Sequence, residues 1–243
     1  MSRGRLGAYS LWQFRDFALE RGVAILIIGL LWGYILVDPL RRTMGQSFSM
    51  SPSSPAWPLL ITVASSVVSL SVLIALNGIV SADRKMGYYR FLFSKPVSVV
   101  VYYTQLYFVY MAGVIVSMLI LSGILHQIVP EFSILNFLLY TAVIYVAMGG
   151  IGFFLSVATR FDWVTLAAVW LGSRVLRDIY GARPGLPSKL VQVLPPVHKL
   201  NDVAQGMISH GSAPASDVIW LVAYGAAFFV LGLILLRHGP LAD

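Results

Sequence analysis

Long runs without charged residues alternate with short polar stretches along this chain. A helix needs about 20 apolar residues to cross the hydrocarbon core of a bilayer, and four of the runs reach or nearly reach that length. The first and fifth are shorter. The runs are Gly22–Val37, Trp57–Ala82, Val97–Leu125, Ile134–Thr159, Trp163–Ser173 and Val218–Leu236. The pattern predicts an all-α polytopic membrane protein with six transmembrane helices.

The fifth run determines whether there are six spans or five. At a rise of about 1.5 Å per residue, Trp163–Ser173 covers only about 16 Å, and extending it brings Arg174 and Arg177 towards the membrane. With a cytosolic N-terminus, six spans place ten Lys and Arg residues inside and seven outside, whereas five spans place fourteen inside and three outside. Loop charge alone therefore favours five spans. We still expect six, for a reason given below.

Composition supports a membrane protein. Hydrophobic residues make up 58% of the chain, charged residues make up 11%, and the mean hydropathy is +0.81, whereas about 25% of the residues in a soluble domain are charged. The net charge of +7 comes from Lys and Arg in the connections, where anionic lipid headgroups and the positive-inside bias favour them. Membrane lipids are thus the expected charged surroundings, and nucleic acid is not an expected partner.

The first residues predict a separate element. Apolar and polar side chains fall on opposite faces of a helix, which is typical of a helix lying in the headgroup plane. The apolar positions are Leu11, Trp12, Phe14, Phe17, Ala18 and Leu19, and the polar ones are Gln13, Asp16 and Glu20. We interpret 1–21 as a cytosolic amphipathic interfacial helix and 22–243 as one transmembrane domain. The alternative is a polar lead-in to the first span.

The sequence offers no catalytic or metal-binding pattern. It lacks the Gly-x-x-x-x-Gly-Lys-Ser/Thr loop that binds ATP, it has no cysteine, and its four histidines lack metal-ligand spacing. The serines of the second run share their helix with no histidine, and small hydroxyl residues there are typical of close helix packing. These serines are Ser65, Ser66, Ser69 and Ser71. We expect no catalytic residue, no metal and no cofactor in this chain.

Uncharged polar side chains in the second and third runs give a candidate substrate path. Tyr103, Tyr107 and Tyr110 follow one another at helical spacing, with Asn77 and Gln105 nearby. One interpretation is hydrogen bonding between helices. The other is a lining for a lipophilic or amphipathic substrate, since ring faces and hydroxyls offer contacts without fixed charge. The four longest runs contain no charged residue, which argues against a proton-coupled carrier.

The stretch between the second and third runs, 83–96, is the strongest functional signal. It places four basic residues before a Pro-Val-Ser sequence: Arg84, Lys85, Arg90 and Lys95. Both charge counts place it in the cytosol. We call it the elbow. One interpretation is an ordinary positive-inside loop whose basic residues contact only lipid headgroups. The other is a short helix held between two long spans, which would pass work from a partner into the membrane, with Pro96 ending it and Asp83 at its start.

The elbow resembles the cytosolic signature of permease subunits of type-2 ABC exporters. Ser94, Pro96, Val97 and Ser98 match the family's Ser-x-Pro-Val-Ser, and Gly87 matches its glycine. Some positions differ: Asp83 stands in place of Glu, Tyr88 in place of Thr, Arg90 in place of Glu and Val99 in place of Arg. The long connection before the last run also fits the family, in which it lies on the outer side, and this is why we expect six spans.

The resemblance implies a permease subunit of an ATP-driven exporter in a bacterial or archaeal cytoplasmic membrane. Its partners would be separate ATP-binding subunits, which hold ATP and Mg²⁺, and a second copy or sister permease. Contacts to the ATP-binding subunits would come from the elbow and from the short turn at 160–162. The residues concerned are Asp83, Arg84, Lys85, Gly87, Tyr88, Arg90, Pro96, Arg160 and Asp162. The alternatives are a structural membrane-anchor subunit and a stand-alone channel or carrier.

Overall fold

Helix accounts for nearly all of the chain that the structure describes, and these residues contain no strand. The structure is a computed structural model that describes residues 3–44, 54, 56–85, 98–159, 171–172, 175–176, 179 and 199–238. The elements are α1 Arg3–Phe17, a π-helical segment Ala18–Gly22, α2 Val23–Met44, α3 Trp57–Leu76, α4 Ser81–Lys85, α5 Val99–Ile128, α6 Ile134–Ala158, α7 Lys199–Ala204, a second π-helical segment Gln205–Ser209 and α8 Ala215–His238.

Five stretches of helix are long and apolar enough to cross a membrane. They are Tyr9–Tyr34, Trp57–Asp83, Val99–Ile128, Ile134–Ala158 and Ala215–Arg237. They match five of the six predicted runs, and the prediction of an all-α polytopic membrane protein is confirmed. The remaining run, Trp163–Ser173, lies outside the described residues except for 171–172.

The helices define two ends of the bundle. At one end, α3 leads into α4 and the elbow, α5 begins, and α6 ends. The hydrogen bond between Asp83 and Tyr103 places the start of α5 here, and the hydrogen bond between Val80 and Ser156 places the end of α6 here. We call this the elbow end. At the opposite, distal end, the Trp57 indole nitrogen at the start of α3 donates to the Ser209 hydroxyl over 2.7 Å. The segment ahead of α8 therefore lies at the distal end.

α6 and α8 run parallel to each other. Gly225 lies against Val146 and Gly150, and further along both helices Gly232 lies against Phe153. α6 finishes at the elbow end and α8 begins at the distal end. The chain therefore enters the interval 160–198 at one end of the bundle and leaves it at the other. Most of this interval lies outside the described residues, and six spans stay a prediction.

The first helix is longer than the first apolar run. α1, the π-helical segment and α2 form one unbroken helix, with helical backbone angles at Phe17 and Val23. Its first part packs along α5, where the Gln105 amide donates to the Ser10 hydroxyl over 2.7 Å. Gln13 is buried in this contact, whereas Leu11 is exposed. The predicted division at residue 21 therefore falls inside a continuous helix.

Small residues set the closest packing of the bundle. A Cβ atom added at Gly150 would lie 1.9 Å from the Gly225 carbonyl oxygen, so only glycine allows α6 and α8 to approach this closely. The serines of α3 act locally instead, because the Ser66 and Ser71 hydroxyls donate to carbonyls one turn earlier on their own helix. Both arrangements are typical of helix packing in membranes.

Candidate functional site

The described structure reaches the elbow only at its start. Backbone is described as far as Lys85 and side chains as far as Asp83. Several of the predicted coupling residues lie outside the described residues altogether. They are Gly87, Tyr88, Arg90, Pro96, Arg160 and Asp162.

Asp83 joins the two helices that flank the elbow. Its carboxylate accepts a hydrogen bond of 3.1 Å from the Tyr103 hydroxyl, so α4 is tied to the first turns of α5. Tyr103 is fully buried, and its ring packs edge-on against Tyr102, with ring centres 4.9 Å apart. A hydrogen bond to a carboxylate is stronger than one between neutral groups. The start of the elbow is therefore fixed to the bundle on both sides.

The second span is interrupted just above α4. α3 ends at Leu76, Asn77 leaves the helical region with ψ 117°, and Gly78 has φ +75°. A positive φ of this size is the left-handed conformation that favours glycine. Side chains from two other helices bond to the backbone on either side of these residues. We call 77–80 the break.

Arg21 and Ser156 are those two partners. The Arg21 guanidinium donates to the Ala75 carbonyl in the last turn of α3 and lies 4.7 Å from the centre of the Tyr110 ring. The Ser156 hydroxyl accepts a hydrogen bond of 3.2 Å from the Val80 amide. Neither residue was predicted to have a role. A signal existed for Arg21 alone, which is a basic residue directly before an apolar run.

Four of the five predicted path residues, Tyr103, Gln105, Tyr107 and Tyr110, contact a neighbouring helix. Tyr107 and Tyr145 exchange hydrogen bonds, with Tyr145 donating to the Tyr107 carbonyl over 2.8 Å and Tyr107 to the Tyr145 carbonyl over 3.4 Å. Tyr110 is buried against Phe17, and Asn77 is exposed at the end of α3. These contacts match the interhelical interpretation, and a role in substrate transport stays a prediction.

An apolar cavity lies elsewhere, towards the distal end. It has a volume of about 330 Å³ between α2, α3 and α5, with Phe137 of α6 at its edge. α2 touches α5 where Gly29 meets Leu121, and no atom stands within 4 Å of a Cβ added at Gly33. The two helices therefore separate towards the distal end. None of the five predicted path residues lines this cavity.

The cavity suits hydrocarbon rather than a polar ligand. Most of its lining is aliphatic or aromatic, and the Ser122 hydroxyl at its wall already donates to the Leu119 carbonyl over 3.0 Å. Tyr34 brings a second hydroxyl to the lining and is 67% exposed. Such a wall offers dispersion contacts and few hydrogen bonds.

No cluster of acids or histidines suited to a metal ion occurs within the described ranges. Comparison with known proteins gave no further identification. No family model, no curated protein and no solved structure matches this chain.

Proposed function

We propose that this chain is the transmembrane permease subunit of an ATP-driven ABC exporter. It would lie in a bacterial or archaeal cytoplasmic membrane with its N-terminus in the cytosol and would act with a second copy or a sister permease. Separate ATP-binding subunits would hold ATP and Mg²⁺. The observation that supports this most is the hydrogen bond between Asp83 and Tyr103, which fixes both flanks of a basic elbow to the bundle.

The geometry suits an elbow that passes on force. A push on the elbow reaches α3 through α4 and reaches α5 through Tyr103, because α4 and α5 are tied at their elbow ends. Tyr107 then links α5 to α6 through its exchange with Tyr145. Chemistry would take place only in the partner subunits. This chain would convert their movement into tilting of its spans.

A lipophilic or amphipathic substrate fits this proposal best. The distal cavity is apolar, and the α3, α5 and α6 spans have no charged residue away from their ends. A charged headgroup inside the bundle would cost at least about 2.5–3.5 kcal/mol, by analogy with charged side chains at a helix centre. We therefore expect the hydrocarbon part of the substrate to contact the bundle.

The test is coupled ATP hydrolysis. The chain is co-expressed with ATP-binding subunits encoded beside its gene, purified in lipid nanodiscs, and assayed for ATPase activity. Arg84→Glu with Arg90→Glu should leave the complex assembled and remove most of the stimulation, because reversed charges would repel the carboxylates of the partner. The matched control is Arg41→Glu with Arg42→Glu, which makes the same change in charge on the last turn of α2.

The outcomes separate three functions. Loss of stimulation in the elbow variant alone supports the permease. Failure to co-purify with any ATP-binding subunit overturns it. Solute flux into proteoliposomes without ATP would then indicate a stand-alone carrier, and the absence of flux would indicate a structural anchor.

A further inference from the structure

The first span contains an extra residue that the π-helical segment accommodates. Its buried positions are Gln13, Phe17, Gly22, Ile25 and Gly29, and the step from Phe17 to Gly22 is five residues instead of three or four. A π-helical turn accommodates one additional residue and so keeps the buried positions before and after it on the same face of the helix. π-helical turns of this kind occur frequently at functional sites.

This turn brings Arg21 to the break. Arg21 directly precedes the buried Gly22, is half-buried, and reaches α3. The last four carbonyls of a helix lack partners within the helix, and the negative end of the helix dipole favours a cation there. The Ala75 carbonyl is one of these groups, so the Arg21 guanidinium caps the C-terminus of α3.

An unsatisfied backbone group is costly in a membrane, because lipid offers no hydrogen-bond partner. The break exposes such groups, and three side chains from different helices stabilise it. Arg21 binds the Ala75 carbonyl before the break, Ser156 binds the Val80 amide within it, and Tyr103 binds Asp83 after it. The direction of α4 relative to α3 therefore depends on contacts with α5, α6 and the first span.

We propose that the break is a hinge and that Arg21 is the positioning residue that sets its resting angle. When Arg21 caps α3, the backbone of 77–80 has one arrangement and α4 leaves the bundle in one direction. Without the cap, α3 and α4 move more independently about Gly78. The role of this hinge in transport rests on the proposed function, whereas the hinge itself does not.

Amide hydrogen exchange of the chain alone in lipid nanodiscs tests the hinge. Three amides report on it: Asn77, Ile79 and Ala82, which donate to Leu73, Leu76 and Gly78. In Arg21→Gln we expect them to exchange at least about tenfold faster than in the wild type, since a hydrogen bond to a charged group is lost. Ser156→Ala should accelerate the same region by a smaller factor, because it removes a neutral partner.

Three comparisons separate positioning from a general loss of structure. Arg21→Lys keeps the charge and a donor, so its exchange at the break should stay within about threefold of the wild type. Arg15→Gln is the matched control, because Arg15 is exposed on α1. Exchange around Gly150 should not change in any variant. The proposal is overturned by wild-type exchange at the break in Arg21→Gln, or by uniform acceleration throughout the chain.

A second arm uses the assembled transporter. In complexes with the ATP-binding subunits, Arg21→Gln should bind them as the wild type does and transport less substrate per ATP hydrolysed. The role of the hinge in transport is overturned if Arg21→Gln transports as much substrate per ATP hydrolysed as the wild type while its amides at the break exchange faster. If no complex forms at all, the proposed function fails, and the exchange experiment still decides the hinge.

Discussion

Replacing Gly150 by alanine tests the closest contact in the bundle. The new methyl group would stand 1.9 Å from the Gly225 carbonyl oxygen and within contact distance of two more Gly225 backbone atoms. An ordinary carbon–oxygen contact is about 3.3 Å, so α6 and α8 would have to separate by roughly 1.4 Å. Backbone atoms cannot rotate out of the way as a side chain can.

The expected loss of stability follows from this separation. A gap of 0.5–1 Å already removes about a quarter to a half of the dispersion energy of an atom pair, and overpacking a tight interior costs about 1–3 kcal/mol. We expect Gly150→Ala to lower the free energy of unfolding by about 2–3 kcal/mol, near the upper end of this range. The measurement is reversible unfolding in mixed micelles, followed by tryptophan fluorescence.

Two further variants make the experiment decisive. Gly225→Ala, whose methyl would lie 2.1 Å from the Val146 carbonyl oxygen, should behave like Gly150→Ala. The control is Gly123→Ala on α5, where a Cβ meets no atom within 4 Å and alanine should stabilise the helix by about 0.5–1 kcal/mol. If Gly150→Ala is no less stable than Gly123→Ala, our account of the contact between α6 and α8 is wrong.

Three other predictions concern stability. Tyr145→Phe should lose about 0.5–1.5 kcal/mol in mixed-micelle unfolding, because the Tyr107 carbonyl loses its 2.8 Å hydrogen bond; no loss would mean that the bond contributes nothing in the membrane. Gly78→Ala, at φ +75°, should cost about 1–2 kcal/mol in the same assay, and an unchanged midpoint would contradict the left-handed conformation. Asp217→Asn removes the ion pair between Asp217 and Lys199, and both side chains are partly exposed. The free energy of unfolding should therefore fall by at most about 1 kcal/mol. A loss that persists in high salt would contradict a screened ion pair.

The positions of the spans could be read from the sequence because charge is expensive in lipid. The run Ile134–Thr159 differs from α6 by one residue, and Val97–Leu125 differs from α5 by two or three residues at each end. α6 begins directly after Ser133 and ends directly before Thr159, whereas α5 continues past His126 and Gln127 to Ile128. The absence of charge therefore predicts where a span lies but not where each helix ends. All of the predicted coupling residues, including Asp83, Arg84 and Lys85, stay predictions.

The break and the π-helical turn that brings Arg21 to it could not be predicted from the absence of charge. The run Trp57–Ala82 has no charged residue, and Asn77 and Gly78 are its one amide side chain and its one glycine. Whether such a pair interrupts a helix depends on partners elsewhere in the chain, here Arg21 and Ser156. Helical spacing likewise identified the tyrosine stripe but not its neighbours. Burial of Tyr107 depends on Tyr145 and Phe229, which no local pattern connects to it.

The parallel pairing of α6 and α8 has a consequence for biosynthesis. Gly150 and Gly225 are 75 residues apart, so the ribosome makes α8 well after α6. The glycine surface of α6 therefore enters the membrane before its partner exists, and lipid or the insertion machinery covers it until α8 has been made. A chain truncated before residue 215 would present that surface permanently, which makes it a natural target for the proteases that remove incomplete membrane proteins.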